Sequence, residues 1–115
     1  MSFTDIELAR HKRTLDAWIE KNRPPPHIRP KLDFGYRITG QSVELFEIRP
    51  AFGRPEEMQE GAIAKATWNK RQGVWKVYWQ RADLKWHAYE PARAAGTLDN
   101  FLKTVREDKY ACFFG

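Results

Sequence analysis

The chain has 115 residues, 42% of them hydrophobic and 14% aromatic, which suits one domain with one core and leaves two separate cores too small. Lys and Arg number 20 against 15 Asp and Glu, a net charge of +5 that fits an acidic partner or nucleic acid better than a basic one. Cys112 is the only cysteine, no stretch approaches the roughly 20 apolar residues of a membrane span, and Met1-Ser2-Phe3-Thr4-Asp5 carries no basic leader. A disulfide scaffold is thereby excluded, and a cytoplasmic protein with no membrane contact is expected.

The chain predicts a helix over residues 4–22. Thr4 is its N-cap, Glu7 closes a capping box three residues on, and Phe3 can staple onto Leu8. Leu8, His11, Leu15, Trp18 and Ile19 form one apolar stripe for packing. The run Arg23-Pro24-Pro25-Pro26-His27-Ile28-Arg29-Pro30 stops the helix, because prolines remove donors and bias their predecessors toward extended backbone; it reads as a rigid extended connector over 23–30.

A period of two begins at Leu32, where Leu32, Phe34, Tyr36 and Ile38 alternate with Asp33, Gly35 and Arg37. Thr39-Gly40-Gln41 marks a hairpin turn into a strand over 42–49 that Pro50 ends. Residues 51–61, with Gly53, Pro55 and three glutamates, read as a mobile surface loop. The hairpin over 62–81 is specified to its register: Trp68 opposite Trp75 sets Ala66 against Val77 and Ala64 against Trp79 on one face. Ile63, Lys65, Thr67 and Asn69 then meet Val74, Lys76, Tyr78 and Gln80 on the other. A fifth strand through Leu84, Trp86 and Ala88 follows a turn at Ala82-Asp83, completing a sheet over 32–89. Thr97 caps a last helix over 97–109 with Leu98, Phe101, Leu102 and Val105 inward. The tail over 110–115 is too aromatic to be left in water. The expectation is a single α+β domain, an antiparallel four- or five-stranded meander with both helices on its tryptophan face and Trp79 among its costliest residues to truncate.

Arg23-Pro24-Pro25-Pro26-His27-Ile28-Arg29-Pro30, Gly40 to Pro50, Ile63-Ala64-Lys65-Ala66-Thr67, Val74-Trp75-Lys76 to Tyr89-Glu90-Pro91, and the closing Cys112-Phe113-Phe114-Gly115 together resemble the bacterial family of unknown function numbered 3024. The resemblance covers nearly the whole chain. It implies relatives but no catalytic residue, ligand or partner.

Weak, salt-dependent binding of single-stranded nucleic acid is the leading expectation. Its residues are Lys65, Lys76 and Tyr78 on the face opposite the tryptophans, with Arg81, Lys85 and His87 near its edge, since cations contact phosphates and rings stack on unpaired bases. The competing reading makes these a solvated face with Tyr78 packed under a helix. A protein-interaction or homodimeric module comes second, with an acidic protein or a second copy as partner, and with Tyr110, Phe113 and Phe114 either in its interface or docked within the chain. A metal-dependent nuclease comes third: a three-residue turn would set Asp33 opposite Glu47 with Arg49 beyond, whereas a two-residue turn would put the carboxylates on opposite faces. His11, His27, His87 and Cys112 are dispersed, with no spacing that forms a metal site, so no cofactor is expected, and a non-enzymatic role ranks ahead of an enzymatic one.

Overall fold

The computed structural model describes residues 3–114. Helix α1 (Asp5–Asn22) starts at the capping box: the Thr4 amide donates to the Glu7 carboxylate at 2.9 Å and the Glu7 amide to the Thr4 hydroxyl at 3.2 Å. Phe3 is buried with its ring 4.6 Å from His11 and 5.7 Å from Trp75. After Arg23 the chain is not the extended connector expected. The Pro25 carbonyl accepts from Ile28 and Arg29, and the Ile28 carbonyl from Lys31 and Leu32. Proline lacks a donor but keeps its acceptor, so the run winds into consecutive turns.

Strands β1 (Asp33–Thr39), β2 (Ser42–Ala51), β3 (Arg54–Asn69), β4 (Val74–Gln80) and β5 (Trp86–Ala88) form an antiparallel meander in that order. The β1–β2 hairpin turns on the two residues Gly40-Gln41, since Thr39 pairs with Ser42. Gly40 takes φ 59°, which a side chain rarely tolerates. Gly35 lies opposite Phe46, and a Cβ there would stand 2.8 Å from the Phe46 ring, so the absence of a side chain is what lets that ring lie over the neighbouring strand.

The β3–β4 register is the one expected, with Trp68 opposite Trp75, Ala66 opposite Val77 and Lys65 opposite Tyr78. Two expectations for β2 and β3 are corrected. Pairing shifts between Leu45, opposite Ala64, and Phe46, opposite Ala62, which leaves Ile63 as a bulge. The extra residue turns Ile63 from the outer face into the core, so Ile63 and Ala64 are buried in succession. The segment over 51–61 is no loop either. Pro50 lies within β2, opposite Met58, and the two strands continue as a ribbon to a tip at Phe52-Gly53. β1 reaches only to Ile48; beyond it the ribbon has no third strand, and a proline there removes no ladder bond on that side.

The far edge is also more elaborate than expected. Leu84 sits in a turn at φ 64° and is exposed, so only three residues of β5 pair with β4. A 3-10 turn (Glu90–Ala92) follows, and β6 (Ala94–Ala95) returns to the same edge of β4 opposite Trp75 and Lys76. Val77 is satisfied across the break, its carbonyl accepting from Tyr89 and its amide donating to Arg93.

Helix α2 (Leu98–Glu107) is capped by Thr97, whose hydroxyl accepts from the Asn100 amide at 3.1 Å. Both helices pack on one face of the sheet. Leu15 of α1 and Leu98, Phe101, Leu102 and Val105 of α2 meet Val43, Leu45, Ala64, Ala66, Trp75 and Val77 in the core. Trp79 only partly joins it, and Trp75 takes the central place expected of Trp79. Asp108 ends α2 in the left-handed region and then accepts from the amides of Phe113 at 3.0 Å and Phe114 at 2.9 Å, folding the tail back. Gly115, the last residue of the tail, lies outside the described residues.

Candidate nucleic-acid interface

The helices cover one face of the meander and leave the other open. Strand alternation assigns the open face: Arg37 of β1, Glu44 and Phe46 of β2, Lys65 of β3, Lys76 and Tyr78 of β4, and Trp86 of β5, which stands opposite Gln80. The Lys65 ammonium lies 5.1 Å from the Tyr78 ring centroid and 5.1 Å from that of Trp86. On the neighbouring strands the Arg37 guanidinium lies 4.9 Å from the Phe46 ring. Three rings on three strands are thus interleaved with cations.

The carboxylates of this face are already engaged. Arg37 holds Glu60 at 2.7 Å and Glu44 at 3.6 Å, and this pairing raises its pKa further through the hydrogen bond and charge of Glu60. Among the described residues, neither Lys65 nor Lys76 has a carboxylate oxygen within 4.0 Å. Beside Lys76 the break between β5 and β6 leaves a depression of about 240 Å³ lined by Tyr78, Ala88 and Arg93. Alanines at 88 and 94 on this edge hold no bulk over the Tyr78 ring.

The expected nucleic-acid residues therefore divide. Lys65, Lys76 and Tyr78 share the open face. His87 pairs opposite Trp79 and so belongs to the helix side, and Arg81 stacks 5.5 Å above the Trp79 ring there. Arg81 and His87, expected near the edge of the open face, therefore lie on the helix side. Lys85 is exposed in the turn before β5. Asp83 gathers this turn, accepting from the Lys85 amide at 2.9 Å and lying 2.9 Å from His87 Nε2; these contacts hold its carboxyl below the usual range. Trp86 and Arg93 escaped the sequence reading. Trp86 was visible as a strand residue, but its face depends on the turn length between Gln80 and Trp86, which composition does not fix.

The other candidates are placed as follows. The two-residue turn sets Asp33 opposite Ile48 and Phe34 opposite Glu47, so the two carboxylates fall on opposite faces. Burial pushes the Asp33 carboxyl up, but the Arg23 guanidinium fork and the Phe34 amide outweigh it and hold the group below its usual range. Glu47 is taken by Arg49 at 3.0 Å. Among the described residues no three His, Cys, Asp or Glu side chains converge as a metal would require. Burial pushes the Cys112 thiol up, away from the thiolate form. In the tail, Phe113 is 7% exposed with its ring 4.6 Å from Tyr89, so the chain itself covers it, while Tyr110 and Phe114 remain 65% and 44% exposed.

On the helix side a cleft of about 300 Å³ opens between α1, the β3–β4 hairpin and the start of α2. Its rings are spent on one another: Phe3 on His11, His11 5.2 Å from Trp75, and Trp75 5.4 Å from Trp68. Burial lowers the His11 pKa, which favours the neutral ring among them.

Over residues 3–115 the chain matches, and belongs to, the family described as Domain of unknown function (DUF3024). No curated protein and no solved structure matches it. Among the described residues no helix is long and apolar enough to cross a membrane.

Proposed function

We propose that the open sheet face binds single-stranded nucleic acid, weakly and with little sequence preference, in a cytoplasmic protein that is a binding module rather than an enzyme. The observation that carries this reading is the Lys65 ammonium set over both Tyr78 and Trp86 on the face the helices leave uncovered. Ring faces accept any unpaired base, and the neighbouring cations accept the phosphates on either side. Lys76 flanks the depression next to Tyr78, which gives the backbone a second point of attachment, while Arg93 on its far side is held by Glu90. The net charge of +5 adds long-range attraction without setting the site.

Titration of the protein with short labelled single-stranded RNA and DNA at low and near-physiological salt tests the reading. Binding should fall steeply with salt because phosphate contacts release counterions, and changing Tyr78 and Trp86 together to alanine should weaken it at least about tenfold. Retained binding by that variant, or none by the native protein at low salt, rejects the site.

A second reading has its own observation. The β2–β3 ribbon leaves the body with Phe52 at its tip, 103% exposed, and with Met58 exposed behind it. An apolar contact through this tip to a second copy would lose little affinity with salt, whereas attraction of an acidic protein to the net positive charge would be screened by it; sedimentation at high concentration checks the second copy. Metal-dependent cleavage is the weakest of the three proposals, since Asp33 and Glu47 each hold an arginine instead of each other.

A further inference from the structure

Lys65 occupies the surface on which a base would stack. Its ammonium stands 5.1 Å from each of two ring centroids on neighbouring strands, and among the described residues no carboxylate oxygen within 4.0 Å competes for it. A lysine head group on a flexible four-carbon stem chooses among the attractions within reach. In the free protein the two ring quadrupoles are the attractions within reach, and they act on a half-buried side chain. A formal anion holds it more strongly at the same distance.

Resting on the reading above, we infer that Lys65 caps the Tyr78 and Trp86 rings in the free protein, and that a backbone phosphate draws it off and uncovers both rings together. Phosphate recognition and base stacking are then one coupled event. The substrate class that follows is a strand bearing charged phosphates; free bases, nucleosides and neutral-backbone analogues meet capped rings and gain nothing from Lys65. The cap also gives the face its specificity against other planar molecules, since stacking alone does not displace the ammonium. Glu44, the cross-strand neighbour of Lys65 on β2, is turned toward Arg37 at 3.6 Å, so it leaves the ammonium free to move.

The test compares one base sequence in two chemistries, a short single-stranded oligodeoxynucleotide and the peptide nucleic acid of the same sequence, bound to the native protein and to Lys65→Ala. Capping predicts a crossed response. The variant should bind the charged strand more weakly, with a salt slope shallower by about 0.7. It should bind the neutral strand about two- to fivefold more tightly, because the cap no longer has to be displaced. Weaker or unchanged binding of the neutral strand by the variant overturns the inference. In the native protein alone, the Lys65 ε-protons should resonate upfield through the ring currents of Tyr78 and Trp86 and return toward ordinary positions when the oligodeoxynucleotide is added. Unshifted ε-protons in the free protein overturn the cap independently of any variant. The two failures are separable: if the Tyr78 and Trp86 double variant loses the charged strand but Lys65→Ala shows no crossing, the interface stands and the cap falls. If the double variant keeps full binding, both fall.

Discussion

The two faces of the sheet are built from the same strands, residue by residue in alternation, yet they use aromatic rings in opposite ways. On the helix side Trp75 is buried beneath α1 and α2, and its ring is in contact with Phe3, His11 and Trp68. On the open side Phe46, Tyr78 and Trp86 have cations for neighbours and no helix above them. The difference teaches that a ring supports stability when other apolar groups enclose it and stays available for contact when only cations lie beside it.

The sharpest way to break that comparison is to truncate one ring on each face. Trp75→Ala should destabilise the fold by about 3–5 kcal/mol in denaturant titration, since it opens a cavity beneath both helices, whereas Tyr78→Ala should cost about 1 kcal/mol or less. Equal losses would mean that the open face is part of the core. Asp108→Ala comes next. It removes the acceptor for the Phe113 and Phe114 amides, and should lower stability by about 1–2 kcal/mol and make the tail sensitive to protease.

A smaller effect separates the faces by pH. His11 has a folded-state pKa below its ordinary value of 6.5 because burial disfavours the imidazolium, with the Glu7 charge opposing and the Arg10 charge assisting. The unfolded chain therefore binds the proton first. The contribution of neutral His11 is fully present above pH 6.5 and is lost as pH falls below it toward the folded value. His11→Phe should flatten that limb of the melting temperature down to about pH 5, leaving the decline from depressed carboxylates such as Asp33 and Asp83 at lower pH. Further along α1, Asp16 and burial act on Tyr36, whose hydroxyl donates to the Asp16 carboxylate at 2.6 Å. Its pKa is pushed up to about 12, with burial the larger cause. Tyr36→Phe leaves the ring and removes this bond, so its cost should be about 1 kcal/mol by denaturant titration.

How much of this was legible in the sequence depends on whether one residue's neighbours decided its place. The capping box of α1 is local and reads directly. The β3–β4 register also reads directly, because a slip by one would set Trp68 beside Lys76 and mix the faces. The bulge at Ile63 does not, since an inserted residue costs nothing in composition and reverses the face of what precedes it. The ribbon was hidden for a different reason: Gly53, Pro55 and the glutamates have poor strand propensity, and only pairing with β2 makes a strand of them. Of the candidate interface, Lys65, Lys76 and Tyr78 were legible because they belong to the hairpin whose register was fixed. Trp86 and Arg93 lie past a turn and a 3-10 break that no local pattern announces.

That break matters for the growth of the sheet. A sheet with two open margins can add copies at both ends and run on into a fibre, as aggregating strands do. Here the margin of β4 is shared between a three-residue and a two-residue strand with Pro91 and a helical turn between them, so it offers an incoming strand no continuous template. The seven residues of β1 form an uninterrupted margin, and residues 54–64 of β3, which have no partner in β4, present a second edge along the ribbon. A copy that pairs edge to edge through β1 consumes that margin on both partners, so addition at β1 alone stops at a closed pair.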